Sequence, residues 1–111
     1  MKVEQQRIGT VDVFTPVGTL IDQDAERFLK TLLARVRSTN PRIVVDMHEV
    51  PYMDGGALEG LLTAADEQAE GASALKLAAV TPTCREILEL TGLSSHFRFF
   101  EDVQAAVKSF L

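Results

Sequence analysis

One short segment combines residue types that could do chemistry. Asp54 is followed by Gly55 and Gly56 at the point where a β-branched run gives way to a helical pattern. A helix start offers free N–H donors and partial positive charge, which together can bind a phosphate. The segment lacks the spacing of a dinucleotide fingerprint, no lysine follows the glycines, and Asp54 would repel an anion. Nucleotide binding is therefore not expected here.

The histidines and the cysteine do not form a catalytic set. His48 and His96 are far apart in the sequence, and neither has a neighbouring Ser or Cys with a third partner, so we expect ordinary surface or loop residues. Cys84 is the single cysteine and falls on the inner face of a predicted helix, where a thiol usually behaves as a small hydrophobic group. We expect no catalytic residue, no disulfide, no metal site and no cofactor.

Length and charge limit the class of protein. The chain has 111 residues, 46% of them hydrophobic, which suits one domain over residues 1–111. A net charge of −5 with interspersed acids and bases gives no basic stripe, so nucleic acid is not an expected partner. No apolar stretch approaches the roughly 20 residues of a membrane span, and the start MKVEQQR has no apolar signal core. We expect a cytoplasmic protein without membrane insertion.

Strand and helix patterns alternate along the chain after an N-terminal hairpin. Residues 2–8 and 11–17 predict two antiparallel strands, and Pro16 places the second near an edge or at a bend. Asp22 is the expected cap of a helix that ends near residues 38–41, and residues 42–47 predict a buried strand.

The second half continues the alternation. After a helix that ends around residues 70–71, residues 74–80 predict another buried strand. Thr81-Pro82 starts a helix whose inner face includes Cys84 and Thr91, and Gly92 ends it. A short segment FRFF over 97–100 precedes a last helix, which Asp102 caps and whose apolar face extends to Leu111. The predicted class is α/β, with a mixed sheet of four to five strands and about four helices.

Helical spacing after Asp54 predicts a helix with an apolar face and a different, outward face. Its expected core face contains Leu58, Leu61, Leu62, Ala65 and Ala69, and the opposite face contains Gly56, Gly60, Thr63 and Glu67. An exposed glycine in a helix costs roughly 0.8–1 kcal/mol relative to alanine, so outward glycines favour a surface for close contact with a partner. The alternative is that Gly55 and Gly56 only permit a tight turn, which would leave Gly60 unexplained.

The order of elements and the segment VVDMHEVPYMDGGALEGLL resemble the STAS domain, the fold of bacterial anti-sigma-factor antagonists. In that family the segment leads into Asp-Ser-Ser-Gly-Leu. The resemblance implies that Asp54 matches the family aspartate, Gly55 the first serine and Ala57 the family glycine. Gly56 falls on the second serine, which the partner kinase phosphorylates.

Because glycine has no hydroxyl group, the glycine at position 56 predicts a domain that cannot be phosphorylated where the family has its phosphorylated serine. The resemblance implies a non-enzymatic regulator that stays able to bind an anti-sigma factor of the serine kinase type, and it leaves homodimerisation open. The expected partner-binding residues are Asp54, Gly55, Gly56, Ala57, Gly60, Thr63 and Glu67. An accessory subunit of a lipid or anion transporter is the alternative function. A small enzyme of flavodoxin-like topology is the third, and the polar groups that it would need are not evident.

Overall fold

The computed structural model describes residues 1–67 and 75–111. The elements are β1 (Lys2–Ile8), β2 (Val11–Val17), α1 (Asp22–Val36), β3 (Ile43–Asp46), α2 (Gly55–Asp66), β4 (Leu75–Ala78), α3 (Pro82–Leu90), β5 (Phe99–Phe100) and α4 (Val103–Lys108), with a 3₁₀ turn over Ser94–His96 between α3 and β5. Five strands form one sheet in the order β1-β2-β3-β4-β5. The first pair is antiparallel and the other three pairs are parallel. The predicted mixed sheet with an N-terminal antiparallel hairpin is thus confirmed.

The sheet separates two clusters of buried side chains. Alternate residues of β3 point to opposite sides, so Val45 joins the larger cluster with α1, α2 and α3, whereas Val44 joins the smaller cluster with α4. Both faces of β3 are therefore covered, which explains the unbroken apolar run over residues 43–45. In the larger cluster the rings of Phe14 and Phe28 pack edge to face, with their centroids 6.4 Å apart.

Pro16 lies in β2, the strand next to the edge strand β1, so the expected position near an edge of the sheet is confirmed. It pairs with Val3 of β1, but the parallel ladder between β2 and β3 covers only Asp12 to Phe14. Pro16 follows the end of that ladder. The missing N–H group therefore costs no β2–β3 hydrogen bond.

Local signals place several helix ends correctly. Pro82 is the first residue of α3, and Gly92 has a φ of 74° in the turn after it, where Leu93 N donates to Leu88 O at 3.0 Å. Asp102 caps α4 by accepting a hydrogen bond of 2.8 Å from Ala105 N. Both of these helix ends depend on contacts within a few residues of sequence.

Other expectations about side chains are wrong or fall outside the described residues. Thr91, the C-cap of α3, is exposed, and Leu111, which lies beyond the end of α4 at Lys108, is 93% exposed. Ile21, not Asp22, is the N-cap of α1. The expected inward position of Ala69 and the helix end at residues 70–71 lie outside the described residues. None of the helices in residues 1–67 and 75–111 has the length and apolarity needed to cross a bilayer.

Candidate protein-docking site

Asp54 joins the starts of two helices. Its Oδ1 accepts a hydrogen bond of 2.9 Å from Ala57 N and so caps α2. Its Oδ2 accepts a hydrogen bond of 2.9 Å from the backbone N–H of Asp22, the first residue of α1. The hydrogen bond from Asp22, followed by that from Ala57, lowers the pKa of the Asp54 carboxyl below its ordinary value. The carboxylate therefore stays ionised at neutral pH.

The start of α1 depends on this contact from another element. Its N-cap Ile21 provides no side-chain hydrogen bond, and Asp22 has a φ of 49°, in the left-handed region that aspartate enters more readily than most residues. Leu20 and Met53 form a parallel bridge, and Asp54 N donates to Leu20 O at 3.0 Å. The segments that lead into α1 and α2 therefore run side by side.

Gly55 and Gly56 are exposed in the first turn of α2. A Cβ atom built on Gly55 would have no neighbour within 4 Å, and one on Gly56 would lie 3.5 Å from Asp54 Oδ1. Neither glycine has a positive φ. The backbone and the packing would therefore accept a side chain at both positions, and the tight-turn explanation finds no conformational support.

Gly60 is half-buried and packs against Leu29 of α1, so its predicted place on an outward face is wrong. A Cβ atom on Gly60 would lie 2.9 Å from Cγ and Cδ2 of Leu29 and closer still to Cδ1. The prediction treated the sheet as the only packing partner of α2, whereas α1 covers the flank that contains Gly60. This glycine therefore permits the close approach of two helices.

The remaining predicted contact residues are not equivalent. Ala57 is fully buried, so its side chain does not reach the surface. Thr63 is exposed, and its hydroxyl donates to Glu59 O at 3.0 Å. At the far end of α2, Glu67 accepts hydrogen bonds of 2.8 and 2.6 Å from Arg37, and these lower the pKa of Glu67 and raise that of Arg37. The structure thus keeps Asp54, Gly55 and Gly56 together and separates Glu67 from them.

A groove lies beside the start of α2, and sequence reasoning missed it. The α1–α2 groove has a volume of about 650 Å³ and is lined by Asp22, Ala25, Glu26, Leu29, Lys30, Leu33, Asp54 and Gly56. Most of this lining comes from one side of α1. One helix face of α1 contains Asp22, Glu26, Lys30 and Leu33, which follow one another at spacings of three or four residues. This spacing was the sequence signal from which the groove could have been predicted.

The histidines and the cysteine occupy separate places. His48 is half-exposed, and Nδ1 lies 2.9 Å from Asp46 Oδ1; this hydrogen bond is the main cause of a raised His48 pKa. His96 lies at the surface with Nδ1 3.3 Å from Asp66 Oδ1. Cys84 is buried with Sγ 3.4 Å from Val50 O, and burial raises its thiol pKa. In residues 1–67 and 75–111, no three His, Cys, Asp or Glu side chains cluster as a metal would require.

The mixed sheet with its N-terminal hairpin and the Asp54-capped helix define a STAS domain. The chain belongs to the STAS domain family, whose model matches residues 2–106. A relative from Bordetella bronchiseptica, named "Putative anti-sigma factor antagonist BtrV", is 26% identical over 110 residues, which are 99% of this chain and 95% of the relative.

Solved structures share the fold. An anti-sigma-factor antagonist (STAS) domain protein from Planctomyces limnophilus has a TM-score of 0.81 and 21% identity, covering 98% of this chain and 97% of its own. The anti-sigma factor antagonist SpoIIAA in its unphosphorylated form has a TM-score of 0.76 and 17% identity, with 98% and 96% covered. A sulfate transporter family protein from Wolinella succinogenes has a TM-score of 0.74 and 20% identity, with 89% and 83% covered.

Proposed function

We propose that this chain is a non-enzymatic, protein-binding regulator that acts as an anti-sigma factor antagonist and is not phosphorylated at the start of α2. The family membership and the curated relative support the antagonist class. The proposal of protein binding without phosphorylation at the start of α2 depends on one observation: the exposed, hydroxyl-free turn formed by Gly55 and Gly56 beside Asp54. This turn offers a docking surface and no phospho-acceptor.

The geometry supports the idea that a phosphate at this turn would act as a switch in a chain that had a serine. The Cβ position of residue 56 lies 3.5 Å from a carboxylate oxygen of Asp54. A phosphate group would add roughly −1.5 to −2 charge beside that carboxylate and alter the face that a partner contacts. With glycine at this position the charge cannot be added. The domain therefore stays in its binding-competent form.

The test compares the native chain with Gly56→Ser, and Gly55→Ser is the matched control. Each protein is incubated with labelled ATP and each purified serine kinase-type anti-sigma factor encoded in the source genome. We expect no label on residues 50–62 of the native chain or of Gly55→Ser, and label at position 56 of the Gly56→Ser variant. Because both positions have room for a side chain, a difference between the variants reports kinase recognition rather than misfolding. Label within residues 50–62 of the native chain would contradict the proposal.

A second assay tests antagonism directly. The native chain is added to a preformed complex of sigma factor and anti-sigma factor, with and without prior incubation with ATP. We expect the same release of sigma factor in both cases, because no residue at the docking turn can be phosphorylated. Absence of binding to every anti-sigma factor of the genome would overturn the antagonist role.

The alternative function is an accessory subunit of a membrane transporter. The likeness to the sulfate transporter family protein favours it only at the level of fold, since domains of 20% identity can share a fold and differ in partner. Affinity purification of the tagged native chain from its own membranes distinguishes the two roles. Co-purification of a permease in stoichiometric amount, with no anti-sigma factor, would support the transporter role.

A further inference from the structure

We propose that the α1–α2 groove receives a helical segment of the anti-sigma partner that presents an aliphatic side chain with a Lys or Arg beside it. This inference rests on the proposed function and names the partner chemistry of the same site. The turn at Gly55 and Gly56 then forms only one end of the docking surface. The first helix supplies the remainder.

The apolar part of the groove comes from α1. Ala25 and Leu29 are buried and form its floor, and Leu33 is partly buried at its side. Gly60 helps to shape this floor, because its lack of a side chain lets Leu29 lie close against α2. An aliphatic side chain of the partner would cover the apolar atoms that remain accessible between the two helices.

The charges of the groove are unequally distributed. Asp22, Glu26 and Asp54 supply three carboxylates, and Lys30 is the one cationic side chain of the lining. Asp54 already accepts backbone hydrogen bonds from both helices. Among the described residues, no cation forms an ion pair with Asp22 or Glu26. These two carboxylates are therefore available to a partner's cation, which complementary charge would favour.

The arrangement also orients the partner. From Asp22 to Leu33 the groove follows about three turns of α1, or roughly 17 Å, which matches a short helical segment. The carboxylates lie toward the N-terminal end of α1, near Gly56, and Lys30 lies one turn beyond Glu26. The basic end of the partner segment therefore lies next to the start of α2, and its less basic end lies toward Leu33.

The test uses isothermal titration calorimetry with the anti-sigma factor that binds the native chain. Glu26→Lys reverses a charge in the groove, and Leu33→Ala removes apolar surface from its side. Glu86→Lys, an exposed position on α3, is the matched control with the same change in net charge. Circular dichroism and thermal melting establish that each variant is folded.

We expect Glu26→Lys to weaken binding at least tenfold, Leu33→Ala more than fivefold and Glu86→Lys less than twofold. Raising NaCl from 50 to 500 mM should weaken native binding more than that of Glu26→Lys, because the variant lacks one of the attractive pairs. Folded Glu26→Lys and Leu33→Ala proteins with native affinity would overturn the groove assignment and leave the antagonist role intact. Failure of the native chain to bind any anti-sigma factor would overturn both.

Discussion

Leu29 of α1 fills the space that a side chain on Gly60 of α2 would occupy. A Cβ atom on Gly60 would meet three carbon atoms of the Leu29 side chain, including Cγ at 2.9 Å. Since Cγ is close to the backbone, rotation of the terminal methyl groups alone cannot remove the conflict. This contact sets the distance between α1 and α2, the two helices that line the α1–α2 groove.

Gly60→Ala should therefore destabilise the domain. Alanine gains roughly 0.8–1 kcal/mol of helix propensity over glycine, but overpacking a close contact typically costs about 1–3 kcal/mol. We expect the overpacking to dominate and the free energy of unfolding, measured with urea, to fall by about 1 kcal/mol. Gly55→Ala is the matched control and should change it little, since a Cβ atom there has no neighbour within 4 Å.

The double variant identifies the cause of that loss. Leu29→Ala alone should cost about 2–5 kcal/mol, as for other buried leucines. In Leu29→Ala/Gly60→Ala the total loss should be smaller than the sum of the two single losses, because the shortened side chain gives space to the new methyl group. Strict additivity would show that the two residues do not conflict.

Asp54→Asn should reduce stability at neutral pH, since an amide oxygen replaces a carboxylate that accepts hydrogen bonds from both Asp22 N and Ala57 N. The pKa of Asp54 is lower in the folded than in the unfolded protein. The carboxylate therefore makes its full contribution to the free energy of unfolding at pH values above the pKa of the unfolded state, and this contribution is lost as the pH falls through the pKa of the folded state. The urea midpoints of the native chain and the variant should differ at pH 7 and converge as pH falls well below 4. A constant difference down to pH 2 would contradict the assignment.

His48 should titrate above its ordinary pKa of about 6.5, because its ring donates to the Asp46 carboxylate. NMR titration of the imidazole protons measures this directly, and Asp46→Asn should lower the His48 pKa. Because the pKa of His48 is higher in the folded than in the unfolded protein, the His48–Asp46 pair stabilises the fold to its full extent at pH values below the pKa of the unfolded state. This stabilisation is lost as the pH rises through the pKa of the folded state. A His48 pKa that is unchanged by Asp46→Asn would assign the shift to another group.

Cys84 should be chemically inert in the folded protein. Its side chain is buried and its pKa is raised, so both access and thiolate formation are reduced. A thiol reagent such as 5,5′-dithiobis(2-nitrobenzoate) should react slowly with the native chain and rapidly in denaturing urea. Fast reaction without denaturant would indicate that the helix α3 region opens readily.

Much of the fold could be predicted from the sequence because its signals are local. The β-branched run that contains Val44 and Val45 marks a strand covered on both faces, and Pro82 and Asp102 mark helix starts through contacts within a few residues. The segment around Asp54 could be recognised in the same way. Its helix cap uses Ala57, three residues away.

The tertiary structure decided which neighbours these residues have. Helical periodicity establishes that Gly60 and Gly56 share a side of α2, but it cannot identify the element that packs there; Gly60 faces α1, whereas Gly56 stays exposed. The second hydrogen bond of Asp54 reaches Asp22, which is 32 residues earlier in the chain. The groove with Glu26 likewise exists only because α1 and α2 lie side by side, an arrangement that the β2–β3–β4 crossovers impose and that no local pattern encodes.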